Sequence, residues 1–218
     1  MTRRTWVRLD NASNIFLAAR SETDPKVFRL SAELDEPIDP AILQRALDTT
    51  YDRYRLYHAV LRRAIFWYYL QDSDLRPTVE PDTKYTCAPI YDADRTGLLF
   101  RVLYHRQRIA LEVFHALSDG TGALWFLTDL IEVYIHLRHP EYQRSEEARG
   151  LTGDSFAHYF KRAKHAAPDT SEANSARLTK VFRVSGTPTP DYRTRAVEVT
   201  MPASGVLAPA RAEEVPLT

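Results

Sequence analysis

The 218-residue chain has a single cysteine, no surplus charge of either sign and no long apolar run. Each scarcity narrows what the protein can be. A lone Cys87 excludes an internal disulfide and fits a reducing, cytoplasmic setting. Twenty-nine basic residues balance twenty-nine acidic ones, which removes the electrostatic reason to expect nucleic acid or an anionic membrane as partner. No apolar stretch approaches the roughly 20 residues needed to cross a bilayer. The basic start Met1-Thr2-Arg3-Arg4 is followed by no apolar signal core, and no internal repeat is visible. What is present is a hydrophobic share of 44% and an aromatic share of 11%. That is ample material for one large domain, or one domain with an appendage.

From Trp6 to about Pro140 the pattern is dense α/β. Val27 to Leu34 reads as a strand. Asp39-Pro40 then starts a helix, with an acidic N-cap and proline at the first helical position. Ile42, Leu43, Ala46, Leu47, Thr50 and Tyr54 follow at helical spacing. Tyr57 to Leu70, rich in aromatic and β-branched residues, reads as one long strand with Arg62 and Arg63 inside it. Leu98 to His105 and Ile109 to His115 both alternate, and Arg106-Gln107-Arg108 joins them as a tight connection. In the second of these strands Ile109, Leu111, Val113 and His115 share one face, because side chains alternate with period two.

Ser118-Asp119-Gly120-Thr121-Gly122 breaks that strand, and a helix is expected from about Ala123 to Leu137. Its apolar stripe is Leu124, Leu127, Leu130, Ile131, Tyr134 and Ile135. Beyond Pro140 charged and small residues take over, so 141–218 reads as an irregular crossover segment attached to a lobe spanning 1–140. Within it Asp154-Ser155 offers a helix start, and Val181 to Val184 and Arg195 to Met201 read as short strands. The loop signal Ser185-Gly186-Thr187-Pro188-Thr189-Pro190 lies between those strands.

The chemistry concentrates in His115-Ala116-Leu117-Ser118-Asp119-Gly120, an H-x-x-x-D-G pattern between a strand end and a helix. Such a pattern arises by chance in roughly a few per cent of chains this long. Competing readings exist for each residue. A histidine on an apolar strand face is commonly structural. His115 and Asp119 could be two metal ligands, but no third ligand has the spacing, and no metal is assigned. Gly120-Thr121-Gly122 before a helix could cradle a phosphate, yet it lacks a P-loop lysine and the dinucleotide spacing. Ser118 lacks the G-x-S-x-G turn of a nucleophile. His136 and His139 suit a helix C-terminus, Cys87 suits a small buried filler, and Arg62, Arg63 and Arg101 suit solvent, although one of them could be the partner of Asp119.

With this motif, and with the stretches WVRLDNASNIF (6–16), Val27 to Leu34, LRRAIFWYYL (61–70) and LFRVLYHRQRIALEVFHALSDGTGALWFLTDL (99–130), the chain resembles the chloramphenicol-acetyltransferase-like, condensation-domain superfamily. Its likeness is strongest to bacterial proteins described as alcohol acetyltransferases. The resemblance implies an α/β (α+β) two-layer sandwich of mixed sheet and helices, and only one of the two lobes usual in that superfamily. It implies that His115 is a general base for acyl transfer from acyl-CoA, such as acetyl-CoA, or from a carrier thioester, to a hydroxyl or amine acceptor. No permanently bound cofactor is implied.

By the same resemblance Asp119 braces the loop through an ion pair with an arginine, and Gly120 gives room to turn and keeps the channel open. Ser118, Thr121 and Gly122 would line the substrate channel. Phe114 stands where the double-histidine form of the motif has its first histidine, which points away from the condensation subtype. An isolated lobe would expose the face meant for its mate, which favours self-association. The competing expectation is a truncated, non-catalytic lobe that binds a partner or small molecule.

Overall fold

The computed structural model describes residues 6–9, 11–64, 67–142, 202 and 204–205. Contacts divide the chain into Met1–Phe182 and Arg183–Thr218, and every element described below lies in the first. The readings at Asp154-Ser155, Val181 to Val184, 185–190 and Arg195 to Met201 fall outside the described residues, as does nearly all of the 141–218 segment.

Among the described residues of the first unit, seven strands and three α-helices follow one another. They are β1 (Trp6–Arg8), α1 (Asn11–Ala19), β2 (Val27–Glu33), α2 (Pro40–Tyr51), a 3₁₀ turn (Arg55–His58), β3 (Ala59–Arg63), β4 (Tyr68–Asp72), β5 (Val79–Pro81), β6 (Phe100–His105), β7 (Arg108–Phe114) and α3 (Gly120–Arg138). They build a mixed four-stranded sheet in the order β2-β7-β6-β5 and a three-stranded antiparallel sheet in the order β1-β4-β3. The strand leading to His115 is therefore central, paired antiparallel with β2 on one side and β6 on the other.

The β6–β7 connection is the tight hairpin expected of Arg106 and Gln107, in spite of its weak turn chemistry. Arg106 is held at φ 51°, a conformation L-residues seldom adopt. The loop after β2 compensates. Arg106 O accepts from Ile38 N at 2.7 Å, Gln107 O accepts from Leu34 N at 2.8 Å, and the Gln107 amide donates to Asp35 O at 2.7 Å. Tertiary bonds hold a turn that local propensity would not.

Asp39 caps α2 as anticipated, its Oδ1 accepting from Ala41 N at 2.8 Å and Ile42 N at 3.1 Å, with Pro40 opening the helix. Leu43, Ala46, Leu47, Thr50 and Tyr51 form its buried face. Helix α3 begins three residues earlier than expected, at Gly120, because Asp119 caps it. Its buried stripe is also rotated. Ala123, Phe126, Leu127, Leu130, Val133 and Tyr134 point inward, while Leu124 is exposed and Ile131 and Ile135 are half-buried. The expected stripe followed aliphatic residues and passed over Phe126, which the aromatic core needs.

That core joins both helices to one face of the four-stranded sheet. Tyr57 stacks on Phe126 at 4.3 Å, and Phe100 of β6 meets Tyr57 at 5.0 Å, Phe126 at 5.4 Å and Tyr51 of α2 at 6.0 Å. Each aromatic pair contributes about 0.5–1.5 kcal/mol beyond its area. By register, Phe100 opposes Val113 and Val102 opposes Leu111. The Ile109–Leu111–Val113 side is thus the helix-covered side. Buried hydroxyls tie the layers further: Tyr54 OH donates to Asp129 Oδ2 at 2.7 Å, and Tyr134 OH accepts from Asp39 N at 2.9 Å.

The single long strand expected from Tyr57 to Leu70 is instead a 3₁₀ turn followed by a β3–β4 hairpin. Ala64 N donates to Trp67 O at 2.7 Å and closes the turn. The aromatic and β-branched run is equally compatible with two paired strands, and no glycine or proline marks the reversal.

Candidate functional site

His115 is the first residue beyond β7. Its N–H donates to Lys26 O at 2.8 Å, and Leu117 N donates to Phe114 O at 2.9 Å, so the chain turns at once. Ala116, Leu117 and Ser118 are buried, whereas the imidazole is only half-buried. Strand alternation places its ring on the helix-covered side with Val113, as expected. Phe16 of α1 stacks on the ring with centroids 3.8 Å apart and planes 9° apart. Phe28 of β2, the register partner of Val113, packs obliquely against it at 4.8 Å and 55°. Nδ1 is buried and has no hydrogen-bond partner among the described residues.

The rest of the motif serves the turn and the helix. Asp119 has extended backbone and its Oδ1 accepts from Gly122 N at 2.7 Å, an N-cap that satisfies one of the unpaired amides of the first turn. Ser118 is buried, and its hydroxyl donates to Asp119 O at 3.2 Å. Gly122 is buried, while Gly120 and Thr121 are exposed. Gly120 has no left-handed φ, and a Cβ built on it would meet nothing within 4 Å. The turn therefore does not require glycine there. The fully buried Tyr57 ring brings its hydroxyl toward Ser118 without reaching hydrogen-bond geometry, and burial pushes its pKa well above the usual phenol value.

The opposite face of β7 holds a constellation that composition did not reveal. Glu112 is fully buried and lies in register with Arg29 of β2 and Arg101 of β6. Arg29 Nε donates to Glu112 Oε1 at 2.8 Å, Arg101 Nε donates to Oε2 at 2.6 Å, and Cys87 N donates to Oε1 at 2.6 Å. Arg29 also forks onto Asp82 at 2.7 and 2.9 Å, and Arg101 reaches Ala88 O at 2.8 Å. The Arg29 guanidinium holds the Asp82 carboxyl below its ordinary range against the opposing effect of burial. The same pairing lifts the Arg29 pKa even though burial, the largest single influence on it, works the other way.

Arg101 is therefore not solvated, since this buried carboxylate and a loop carbonyl take its donors. Cys87 is only half-buried and sits at φ 59°, with its N–H turned to Glu112, so it is a loop residue and not core filler. Burial raises its thiol pKa. Of the other arginines singled out, Arg62 donates to Thr96 Oγ1 at 2.7 Å and Arg63 lies over the Tyr68 ring. His136 Nδ1 donates to Tyr142 O at 3.1 Å, and His139 lies within salt-bridge distance of Glu36 and Glu141 at the end of α3. Among the described residues no group of three potential ligands is placed to hold a metal, and no helix is long and apolar enough to cross a membrane.

No protein-family model matches the chain, and no curated protein does. Solved structures do. The starter condensation domain of the rhizomide synthetase RzmA superposes with a TM-score of 0.52 at 14% identity, over 65% of this chain and 40% of that one. A variant of that domain in complex with C8-CoA and Leu-SNAC gives 0.53 at 13%, over 65% and 38%. The X-domain in complex with OxyB from teicoplanin biosynthesis gives 0.52 at 19%, over 69% and 37%. At these identities the likeness establishes fold: a mixed α/β sandwich of the condensation-domain type. The chain spans about 40% of the length of the condensation domain, which fits one lobe.

Proposed function

We propose that this chain is the lobe of an acyltransferase that carries the base, with His115 activating a hydroxyl or amine acceptor toward an acyl thioester. The observation behind this reading is the placement of His115. It stands at the end of the central strand, half-exposed, against two aromatic rings, and opens a turn capped by the aspartate of its own motif. Imidazole suits the task because its unperturbed pKa, about 6.5, lies near working pH.

In the proposed reaction the imidazole takes the acceptor proton and the acceptor oxygen or nitrogen bonds to the thioester carbonyl. The C–S bond then breaks, and the proton passes to the departing thiolate. The backbone bonds from Leu117 N to Phe114 O and from His115 N to Lys26 O fix where His115 leaves the strand. Acyl-CoA, acetyl-CoA first among the donors to try, is a co-substrate in this scheme. C8-CoA in a neighbour of the same fold supports the choice. A simple alcohol is the acceptor that follows from the resemblance to alcohol acetyltransferases.

The span of about 40% of a condensation domain favours one competing reading, a lobe that binds without catalysing. Calorimetric titration with acetyl-CoA, paired with an assay for released thiol with and without a primary alcohol, separates the two. The acyltransferase reading requires alcohol-dependent thiol release that disappears in His115→Ala while acetyl-CoA binding persists. Binding with no alcohol-dependent release would favour the binding lobe.

A further inference from the structure

A catalytic imidazole is ordinarily oriented by its second ring N–H, which donates to a carboxylate or a backbone carbonyl. Among the described residues His115 lacks that device, because Nδ1 is buried with no partner there. The carboxylate nearest in sequence, Asp119, directs Oδ1 to the Gly122 amide. What meets the ring instead is aromatic. Phe16 lies almost parallel to it at 3.8 Å, and Phe28 closes on it obliquely at 4.8 Å. Phe28 is fixed by the sheet, since β2 and β7 pair along their whole length. Phe16 comes from the nine-residue helix α1, whose Ser13 and Leu17 are buried.

We infer that Phe16 is a positioning residue, its ring holding the plane of the His115 imidazole in place of the missing Nδ1 hydrogen bond. A histidine free at χ2 would present its nitrogens to the acceptor only part of the time. Two aromatic surfaces fix the plane of the ring. An aromatic slot also constrains the plane without a hydrogen bond to the buried Nδ1. The importance of that orientation for catalysis rests on the acyl-transfer reading; the orientation itself does not.

The test compares the full chain with Phe16→Leu, which keeps apolar volume and helix propensity, and with Phe16→Tyr, which keeps the aromatic face. Proton NMR of the His115 ring, assigned by difference from His115→Ala, reads the stacking directly. The ring protons should lie upfield, with the ring held in one plane, in the parent and in Phe16→Tyr. In Phe16→Leu they should return toward ordinary imidazole positions and average over orientations. With acetyl-CoA and a primary alcohol, kcat should fall roughly 10- to 100-fold in Phe16→Leu, the scale of a small misplacement of reacting groups. KM should change little, and Phe16→Tyr should restore the rate. Ring-proton positions unchanged in Phe16→Leu would overturn the inference, and so would an unchanged kcat where His115→Ala is inactive. If His115→Ala leaves turnover intact, the acyl-transfer reading falls, and the ring-proton comparison still decides the positioning claim.

Discussion

The two faces of β7 are built on opposite principles. On one, Ile109, Leu111 and Val113 lie under two helices, and His115 ends the row. On the other, Glu112 is buried to the same degree but is held by two arginines, a backbone amide and, through Arg29, Asp82. The apolar face gains from every atom removed from water. The charged face breaks even only while all its partners are in place, since a desolvated carboxylate without them is costly. The contrast assigns two roles to one strand. The helix-covered side ends in His115, and the reverse side clamps β2, β6 and the loop around Cys87 and Ala88 to the strand that leads to it.

The contrast can be broken first at Glu112. Glu112→Ala leaves Arg29 and Arg101 facing a vacated site and should cost roughly 3–5 kcal/mol, the scale of removing one partner from a buried ion pair, read by urea unfolding. Leu111→Ala, one residue away on the other face, should cost roughly 2–5 kcal/mol through lost transfer energy and a cavity. The two differ in how they respond to partners. Replacing Arg101 as well should recover part of the Glu112→Ala loss, while the Leu111→Ala loss should be additive with it. Additivity in both cases would erase the distinction between the faces.

A smaller effect sharpens it. Asp82→Asn should cost about 1.5–3 kcal/mol at neutral pH, the value of a hydrogen bond to a charged group. Because Arg29 depresses the folded-state pKa of Asp82 below its unfolded value of about 3.9, the unfolded chain binds the proton more readily. The stabilisation is thus complete above about pH 5 and lost as pH falls through the folded value. The Asn variant should lose that acid-side slope, and Leu111→Ala should keep it. Both are read from denaturation midpoints between pH 3 and 7, a range spanning about four decades of proton activity around the unperturbed carboxylate value.

The difference between the faces also sets what was legible in the sequence. Period-two alternation from Ile109 to His115 identified the helix-covered face and the motif at its end, and Asp39-Pro40 announced its helix. Arg29, Arg101 and Glu112 carry no local signal of pairing. They meet because β2, β7 and β6 align in one register, which lies 83 residues apart in sequence for Arg29 and Glu112. Phe16 was hidden for the same reason, its partner being about a hundred positions away. The reversal at Ala64–Trp67 lacked turn residues, and the true stripe of α3 was set by the aromatic cluster around Phe126. Local chemistry showed the motif, and long-range pairing supplied what holds it.

The central claim is that the proton-transfer chemistry of this fold resides in His115. The direct measurement is formation of the acetyl ester from carbonyl-labelled acetyl-CoA and a primary alcohol, followed by mass spectrometry for the full chain and for His115→Ala at matched folding. Labelled ester should form with the parent, and its rate should fall by about 10²–10⁴-fold in the variant, the usual contribution of a positioned general base. Equal rates of labelled ester formation from the two proteins would contradict the claim.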